Sequence, residues 1–516
     1  MDYPLLVRHV AERAERVFPE RELVSRTKDG IERSTYGQVV ERARRLASSL
    51  ERLGVQRGDR VATFAWNSVR HLELYLAVPS MGAVLHTVNI RLFEEDLRYI
   101  VGHAEDRIIF LDASLTGVMP RFEGVEREVL MPDSPGERGG ALEYEELIAD
   151  GDPNYRFPDL DERSAAAMCY TSGTTGRPKG VVYSHRSTVL HSLGAGQADA
   201  MDIRQTDSVM PVVPMFHANA WGIPYTASLA GARHVYPGPR MTPEDIAELI
   251  QAEKVTWTGA VPTIWQGILQ LDPAPDLSSL RQIMSGGSAV PEHLIRTYMD
   301  RFGIEVYQGW GMTETSPLAS MSRVPAEFDL SEDERYAVRA YQGRVLPLVD
   351  FRIDEESGGE LQVRGPWIAS AYYKDPATEE KFTEDGWLRT GDVAEPQHGS
   401  YIKLVDRTKD LVKSGGEWIS SVELENAIMA HPDVLEAAVV AIPNERWGER
   451  PLACVVRRPD SSLDEEGVLE HLRSRVAKWW LPDRVEFIDE VPKTSVGKFD
   501  KKVLRARFAS QEVPSA

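Results

Sequence analysis

The sequence predicts an α/β protein, with a large multilayer α/β domain over residues 1–405 followed by a small α+β module over residues 406–516. Three observations lead there. Strand-like and helix-like runs alternate along most of the chain, the signature of α/β layers. The chain is 516 residues long with 42% apolar content, which exceeds one ordinary domain and suffices for large, well-buried cores. From about Asp406 onward the texture changes to short strands, one amphipathic helix and a basic tail, a size suited to an independent module.

The elements follow in order. In "TYGQVVERARRLASSLERLG", Val39, Val40, Ala43, Leu46, Ala47, Leu50 and Leu53 keep helical spacing, and Gly54 ends the helix. After the Gly58-Asp59 turn, "RVATFA" reads as a buried strand, as do "RIIFLD" (107–112), "DSVMPVV" (207–213) and "LRQIMSGG" (280–287). "SAAAMCY" reads as another, and "VVYSHRSTVLHSL" as a strand or helix after it. "PDSPGERGG" (132–140) and "PAEFDLSEDERYAVRA" (325–340) read as exposed connections. Beyond Asp406, "VLEAAVVAI" and "PLACVVRR" read as strands and "VLEHLRSRVAKWWL" as the amphipathic helix.

Composition restricts the partners. Net charge is −21, with 80 acidic against 59 basic side chains, so the surface as a whole repels nucleic acid and anionic lipid, and an anionic ligand must be met locally. Cys169 and Cys454 lie far apart in apolar strand-like runs, which fits reduced, packed thiols better than a disulfide or a metal site. The charged N-terminal stretch is unlike a signal peptide, and no segment offers the eighteen or so consecutive apolar residues of a membrane span. The expectation is a cytoplasmic protein with no integral membrane segment and no nucleic-acid partner.

Between two such runs lies "YTSGTTGRPKG" (170–180). Its glycines at 173, 176 and 180 free the backbone to wrap a ligand, Ser172, Thr174 and Thr175 present hydroxyls, and Lys179 adds a positive charge. The pattern points to phosphate, although Gly, Ser and Thr are also ordinary turn residues and a solvent loop is the alternative at this stage. It is not a Walker loop, because G-x-x-x-x-G-K-[ST] is absent and Gly497-Lys498 is followed by Phe499.

Four further segments follow it: "YQGWGMTETSP" (307–317), "GWLRTGD" (386–392), "DRTKDLVKSGGEWIS" (406–420) and "PKTSVGK" (492–498). Together, in this order, they resemble the adenylate-forming superfamily of acyl-CoA synthetases, luciferases and peptide-synthetase adenylation domains. The resemblance spans most of the chain and implies that family's fold, with a small C-terminal domain that moves about a hinge at Asp406. It implies a reaction in which a carboxylate attacks the α-phosphorus of ATP, pyrophosphate leaves, and a thiol then displaces AMP. The co-substrates are then ATP and coenzyme A, and the cofactor Mg2+.

Site residues carry over from the resemblance. Ser172, Gly173, Thr174, Thr175, Gly176 and Lys179 are expected to hold the departing phosphates, and Thr171 and Glu314 to bind magnesium directly or through water. Gly286, Gly287, Ser288, Gln308 and Gly309 should line the adenine, Thr313 should reach the α-phosphate, and Asp392 should bind the ribose hydroxyls. Arg407, Lys409 and Lys413 form a basic cluster near the hinge for phosphate and ribose contacts, and Lys498 is the catalytic lysine. A cation there lowers the cost of bringing two anions together. Gly415 and Gly416 should let pantetheine pass, and Trp418 packs in the core or against the nucleotide.

"PVVPMFHANAWGIPY" (211–225) resembles medium- and long-chain fatty acyl-CoA synthetases, so Phe216, His217, Ala218, Trp221 and Trp310 are expected at the acyl substrate, with Trp221 gating an apolar tunnel. One departure from many relatives is Ser421 where they carry proline. The expected activity is a fatty acid–CoA ligase. A ligase for an aryl, branched or sulfur-containing short acid, a luciferase-like oxygenase and a non-enzymatic binder of fatty acid or acyl-adenylate are the alternatives. The resemblance leaves a homodimer open.

Overall fold

The computed structural model describes residues 2–132, 139–171, 177–326, 328–357, 359–376, 378–397, 400–407, 410–415, 417–444, 446–493 and 499–508. The helix foreseen from its apolar spacing runs Tyr36–Arg52, and its ends show why it forms there. Thr35 accepts from the Gln38 amide while the Gln38 side chain accepts from the Thr35 amide, a reciprocal cap. Gly54, at φ +86°, then turns the chain away.

The chain divides into two units: Met1–Val290 with Leu294–Asp350 and Arg364–Leu388, and Pro291–His293 with Phe351–Val363 and Arg389–Ala516. The first unit holds two large sheets. The nine-stranded sheet runs Arg344–Val345, Leu318–Met321, Glu305–Gly311, Gln282–Gly286, Trp257–Ala260, Ser208–Pro211, Arg233–Tyr236, Glu22–Arg26, Ile31–Thr35. Its middle strands are parallel and its edges antiparallel. Both faces of the middle strands must therefore be covered, and in Gln282–Gly286, Trp257–Ala260, Ser208–Pro211 and Arg233–Tyr236 all residues but half-buried Arg233 are buried. The seven-stranded sheet runs Leu142–Glu143, Arg127–Met131, Asp106–Asp112, Arg60–Phe64, Val84–Thr87, Ala165–Tyr170, Gly180–Ser184, with only the last pair antiparallel.

The second unit holds a four-stranded sheet, Asp350–Asp354, Glu360–Arg364, Leu388–Gln397 and Tyr401–Arg407, and a five-stranded one. The latter is built on the long hairpin Val434–Asn444/Gly448–Arg457, with helices Ser421–Met429, Glu465–Arg473 and Lys501–Phe508 in the same unit.

Two expectations are corrected. Residues 325–340 are not simply an exposed connection: Glu332–Arg339 is a helix, capped by Ser331 and led by Glu332, Asp333 and Glu334, which suit a helix N-terminus. Only Tyr336 of it is buried, so it lacks an apolar stripe. The helix expected through "VLEHLRSRVAKWWL" ends at Arg473, and Lys478–Trp480 is a separate 3-10 turn. Cys169 and Cys454 are free and buried, and burial pushes their thiols up to about 11 and about 12, so both stay protonated. Among the described residues no helix is long and apolar enough to cross a membrane.

Candidate active site

The glycine-rich loop joins two antiparallel strands, Ala165–Tyr170 and Gly180–Ser184, with Tyr170 opposite Gly180. Its neck is closed one step further on. The Thr171 amide donates to the Lys179 carbonyl at 2.9 Å, and the Lys179 amide donates to Thr171 Oγ1 at 3.1 Å. Ser172, Gly173, Thr174, Thr175 and Gly176 lie outside the described residues. Lys179 Nζ stands 4.9 Å from the centroid of the Tyr372 ring, and the Tyr372 hydroxyl donates to Glu314 Oε1 at 2.5 Å.

Glu314 sits in the tight turn Thr313–Thr315 and is only 5% exposed. Three bonds hold this turn. Tyr183 donates its hydroxyl to the Thr313 carbonyl at 2.7 Å, the Ala369 amide donates to the Glu314 carbonyl at 2.8 Å, and Ser316 Oγ donates to the Trp367 carbonyl at 2.6 Å. The turn is thus fixed independently of any ligand.

Next to it, the parallel strands Gln282–Gly286 and Glu305–Gly311 bring Gly286 opposite Gly309. A Cβ on Gly286 would fall 2.6 Å from the Gly309 carbonyl oxygen, so that position has no room for a side chain, whereas one on Gly309 would meet the flexible tip of Met284 at 2.5 Å. Gly287 follows at φ +82°, where glycine is favoured. The Gln308 amide is occupied within the fold: its oxygen accepts from the Val290 amide at 2.6 Å and its nitrogen donates to the Ala340 carbonyl at 3.1 Å. Gln308 thereby pins the turn that carries exposed Ser288.

The segment Ala218–Gly222 has an unusual backbone. Ala218, Asn219, Ala220 and Trp221 take φ values of 44°, 53°, 50° and 56°, and Gly222 follows at 73°. Four consecutive non-glycine residues in the left-handed region cost roughly 1–2 kcal/mol each, so their surroundings must hold them. Asn219 Oδ1 accepts from buried Cys169 Sγ at 3.2 Å, and the Ala220 amide donates to the His217 carbonyl at 3.0 Å. Phe216, Ala218, Trp221 and Trp310 are all buried, and His217 is half-buried with its amide donating to Pro214. A Cβ on Gly286 would lie 3.5 Å from Trp221 Cη2, so the indole of Trp221 reaches the strand end of the glycine pair.

In the second unit, Asp392 and Arg407 face each other across adjacent strands, and Arg407 Nε lies 2.9 Å from Asp392 Oδ1. Asp392 is 2% exposed, so this pair orients a carboxylate with little freedom of its own. Lys413 stands opposite Trp418, its Nζ 5.3 Å from the indole ring, and Trp418 is 47% exposed, which removes it from the core. Gly415, at φ +62°, donates its amide to the Trp447 carbonyl, and a Cβ there would meet the Trp447 ring at 2.8 Å. Asp406 is buried and accepts from the amides of Ser421 at 2.5 Å and Arg407 at 2.7 Å. Beside it, Lys501 Nζ bonds Glu425 at 2.7 Å and Ser421 Oγ at 2.6 Å. Burial pushes the Glu425 carboxyl up to about 7 and raises that of Asp406, with Lys501 opposing both. Lys409, Gly416 and Lys498 lie outside the described residues.

Sequence reasoning did not single out Tyr372, Tyr183 or Glu425. Nothing local marks them, since each matters through a contact with a distant segment. Among the described residues no group of three or more His, Cys, Asp and Glu side chains is arranged to hold a metal. Glu314 offers a buried carboxylate and Thr171 a hydroxyl oxygen, donor types that suit a hard cation such as magnesium.

A large α/β unit followed by a small α+β unit, built on these sheets, is the fold of adenylate-forming enzymes. The chain belongs to the AMP-binding enzyme family, which matches residues 11–373, and the AMP-binding enzyme C-terminal domain matches residues 423–498. It is 47% identical to a long-chain-fatty-acid–CoA ligase of Thermus thermophilus, over 98% of this chain and 96% of that one. It is 43% identical to a 3-methylmercaptopropionyl-CoA ligase of Ruegeria pomeroyi, over 98% of each chain. Among solved structures, ATP-bound MatB from Rhodopseudomonas palustris superposes with a TM-score of 0.84 at 28% identity, covering 98% of this chain and 99% of that one.

Proposed function

We propose that the chain is an ATP- and magnesium-dependent fatty acid–CoA ligase for medium- or long-chain acids. Residues 1–405 are assigned to adenylation and acyl binding, and residues 406–516 to a module that moves about Asp406. The closed neck of the glycine-rich loop carries this reading: Thr171 and Lys179 present a hydroxyl and an ammonium at the base of a loop whose composition suits phosphate.

A carboxylate is a poor electrophile and must gain a leaving group before a thiol attacks it. Its oxygen attacks the α-phosphorus of ATP, the bond to the β-phosphate oxygen breaks, and pyrophosphate departs. The thiol of coenzyme A then adds to the acyl carbon and expels AMP, which keeps the former carboxylate oxygen. Lys179 offsets the charge of the departing phosphates while the loop hydroxyls donate to their oxygens, and Lys498 offsets the charge where carboxylate and α-phosphate meet; positioning and charge neutralisation supply most of such catalysis. Magnesium, when bound, spreads the phosphate charge, and Thr171 and Glu314 are the residues that would hold it. The adenine is assigned to the strand ends at Gly286 and Gly309, the ribose to the Asp392 carboxylate, and pantetheine to the segment at Gly415. Buried, protonated Cys169 and Cys454 suit a cytoplasmic enzyme.

A short sulfur-containing acid is the second reading, favoured by the similarity to the 3-methylmercaptopropionyl-CoA ligase. A panel of aliphatic, aryl and thioether acids, assayed for pyrophosphate release with and without coenzyme A, separates the two. Medium or long aliphatic acids should give the highest kcat/KM; a preference for short thioether acids would reverse the ranking, and no acid-dependent release would leave only a binding protein.

A further inference from the structure

We infer that Tyr372 is a positioning residue for phosphate binding, an aromatic spacer that holds the Lys179 ammonium and the Glu314 carboxylate apart and aims each at the nucleotide. This deepens the function proposed above and rests on its assignment of those two groups to ATP and magnesium.

The geometry is specific. Tyr372 meets Lys179 with its ring face, 4.9 Å from Nζ to the centroid, and meets Glu314 with its hydroxyl at 2.5 Å. Opposite charges this near a common side chain would otherwise pair with each other, and a paired lysine and glutamate serve a phosphate and a cation poorly. The ring offers the ammonium a favourable face without neutralising it, and the hydroxyl bonds the carboxylate without protonating it.

The spacer is itself anchored. The Tyr372 amide donates to Thr378 Oγ1 at 3.0 Å, and that hydroxyl donates to the Asp375 carbonyl at 2.9 Å. The next residue, Tyr373, donates its amide to the Gly180 carbonyl at 2.8 Å, fastening the segment to the strand that leaves the loop. The Phe382 ring packs edge-on against Tyr372 at 5.9 Å. Tyr372 therefore connects three parts of the first unit: the loop neck, the Thr313–Thr315 turn and its own segment.

Two substitutions divide the roles. Tyr372→Phe keeps the spacer and removes the donor, whereas Tyr372→Leu removes the spacer and lets Lys179 and Glu314 approach. Titration calorimetry of ATP, in EDTA and in excess magnesium, reads both without catalysis, and a thermal melt accompanies each variant. For Tyr372→Phe the ATP affinity in EDTA should stay within about twofold of wild type, while the gain from magnesium falls about tenfold. For Tyr372→Leu the affinity should fall about tenfold even in EDTA, and phenylalanine should restore that part. Wild-type affinities in both variants, or equal losses in both that track a lowered melting temperature, would overturn the proposal. Were the wild type to bind ATP yet release no pyrophosphate with any acid, the function proposed above would fail while the binding data still decided the role of Tyr372.

Discussion

Replacing Trp221 by alanine separates a substrate gate from an ordinary core residue. Trp221 is 6% exposed and its indole edge reaches Gly286. Its backbone φ of 56° is equally strained for alanine, so the change acts through the side chain alone. As a core residue, its truncation should cost roughly 3–5 kcal/mol of stability and depress activity on every acid alike. As a gate, it should alter selection along the acyl chain. Each buried methylene is worth about 0.8 kcal/mol, so the six that distinguish octanoate from acetate favour octanoate by about 5 kcal/mol, more than three orders of magnitude. Acetate should therefore be a very poor substrate of the wild type, and Trp221→Ala should shift the preferred length and flatten the discrimination while ATP affinity stays near wild type. The assay is kcat/KM over acids of two to eighteen carbons beside a thermal melt. An unchanged preference with a large fall in melting temperature would refute the gate.

Gly286→Ala places a methyl group 2.6 Å from the Gly309 carbonyl oxygen, which forces the strand ends apart. Calorimetry should show ATP affinity reduced at least about tenfold, and an unchanged Kd would remove Gly286 from the adenine site. Lys498→Ala should abolish pyrophosphate release yet still convert a supplied acyl-adenylate to thioester, and Gly416→Leu should do the reverse; loss of the same half-reaction in both would contradict the division of labour around Asp406. Glu425, fully buried, has its carboxyl raised from 4.5 to about 7. A raised folded-state pKa favours the fold below the unfolded value and loses that contribution as pH rises through 7. From pH 6 to 8 the wild type should thus lose melting temperature relative to Glu425→Gln, and parallel profiles would show that Glu425 does not titrate there.

Much of the fold was legible because buried elements write their period into the sequence. The helix Tyr36–Arg52 shows its apolar stripe and its stop at Gly54, and "RIIFLD" lies within the strand Asp106–Asp112. The helix Glu332–Arg339 was not legible, since a surface helix with one buried side chain carries no stripe. In the site, the loop announces itself by composition, whereas Gly286 and Gly309 were marked only by the resemblance to a known family. The left-handed run Ala218–Trp221 does not, because nothing about alanine, asparagine or tryptophan asks for positive φ and only the packed surroundings impose it. Tyr372 escaped for a related reason. It stands 58 residues from Glu314, in a stretch that reads as an ordinary aromatic turn, and only the fold makes them neighbours. Asp406 reads locally as a turn aspartate, yet the structure places it beside Glu425 and Lys501 in a buried charged cluster drawn from three separate segments.

If a carboxylate oxygen attacks the α-phosphorus of ATP, that oxygen leaves in AMP. The most direct measurement supplies octanoate labelled with 18O in the carboxylate, together with ATP, magnesium and coenzyme A, and follows the label by mass spectrometry. AMP should carry one 18O, pyrophosphate none, and octanoyl-CoA should retain the other labelled oxygen. Label in inorganic phosphate with ADP as the nucleotide product, or AMP free of label, would contradict that attack.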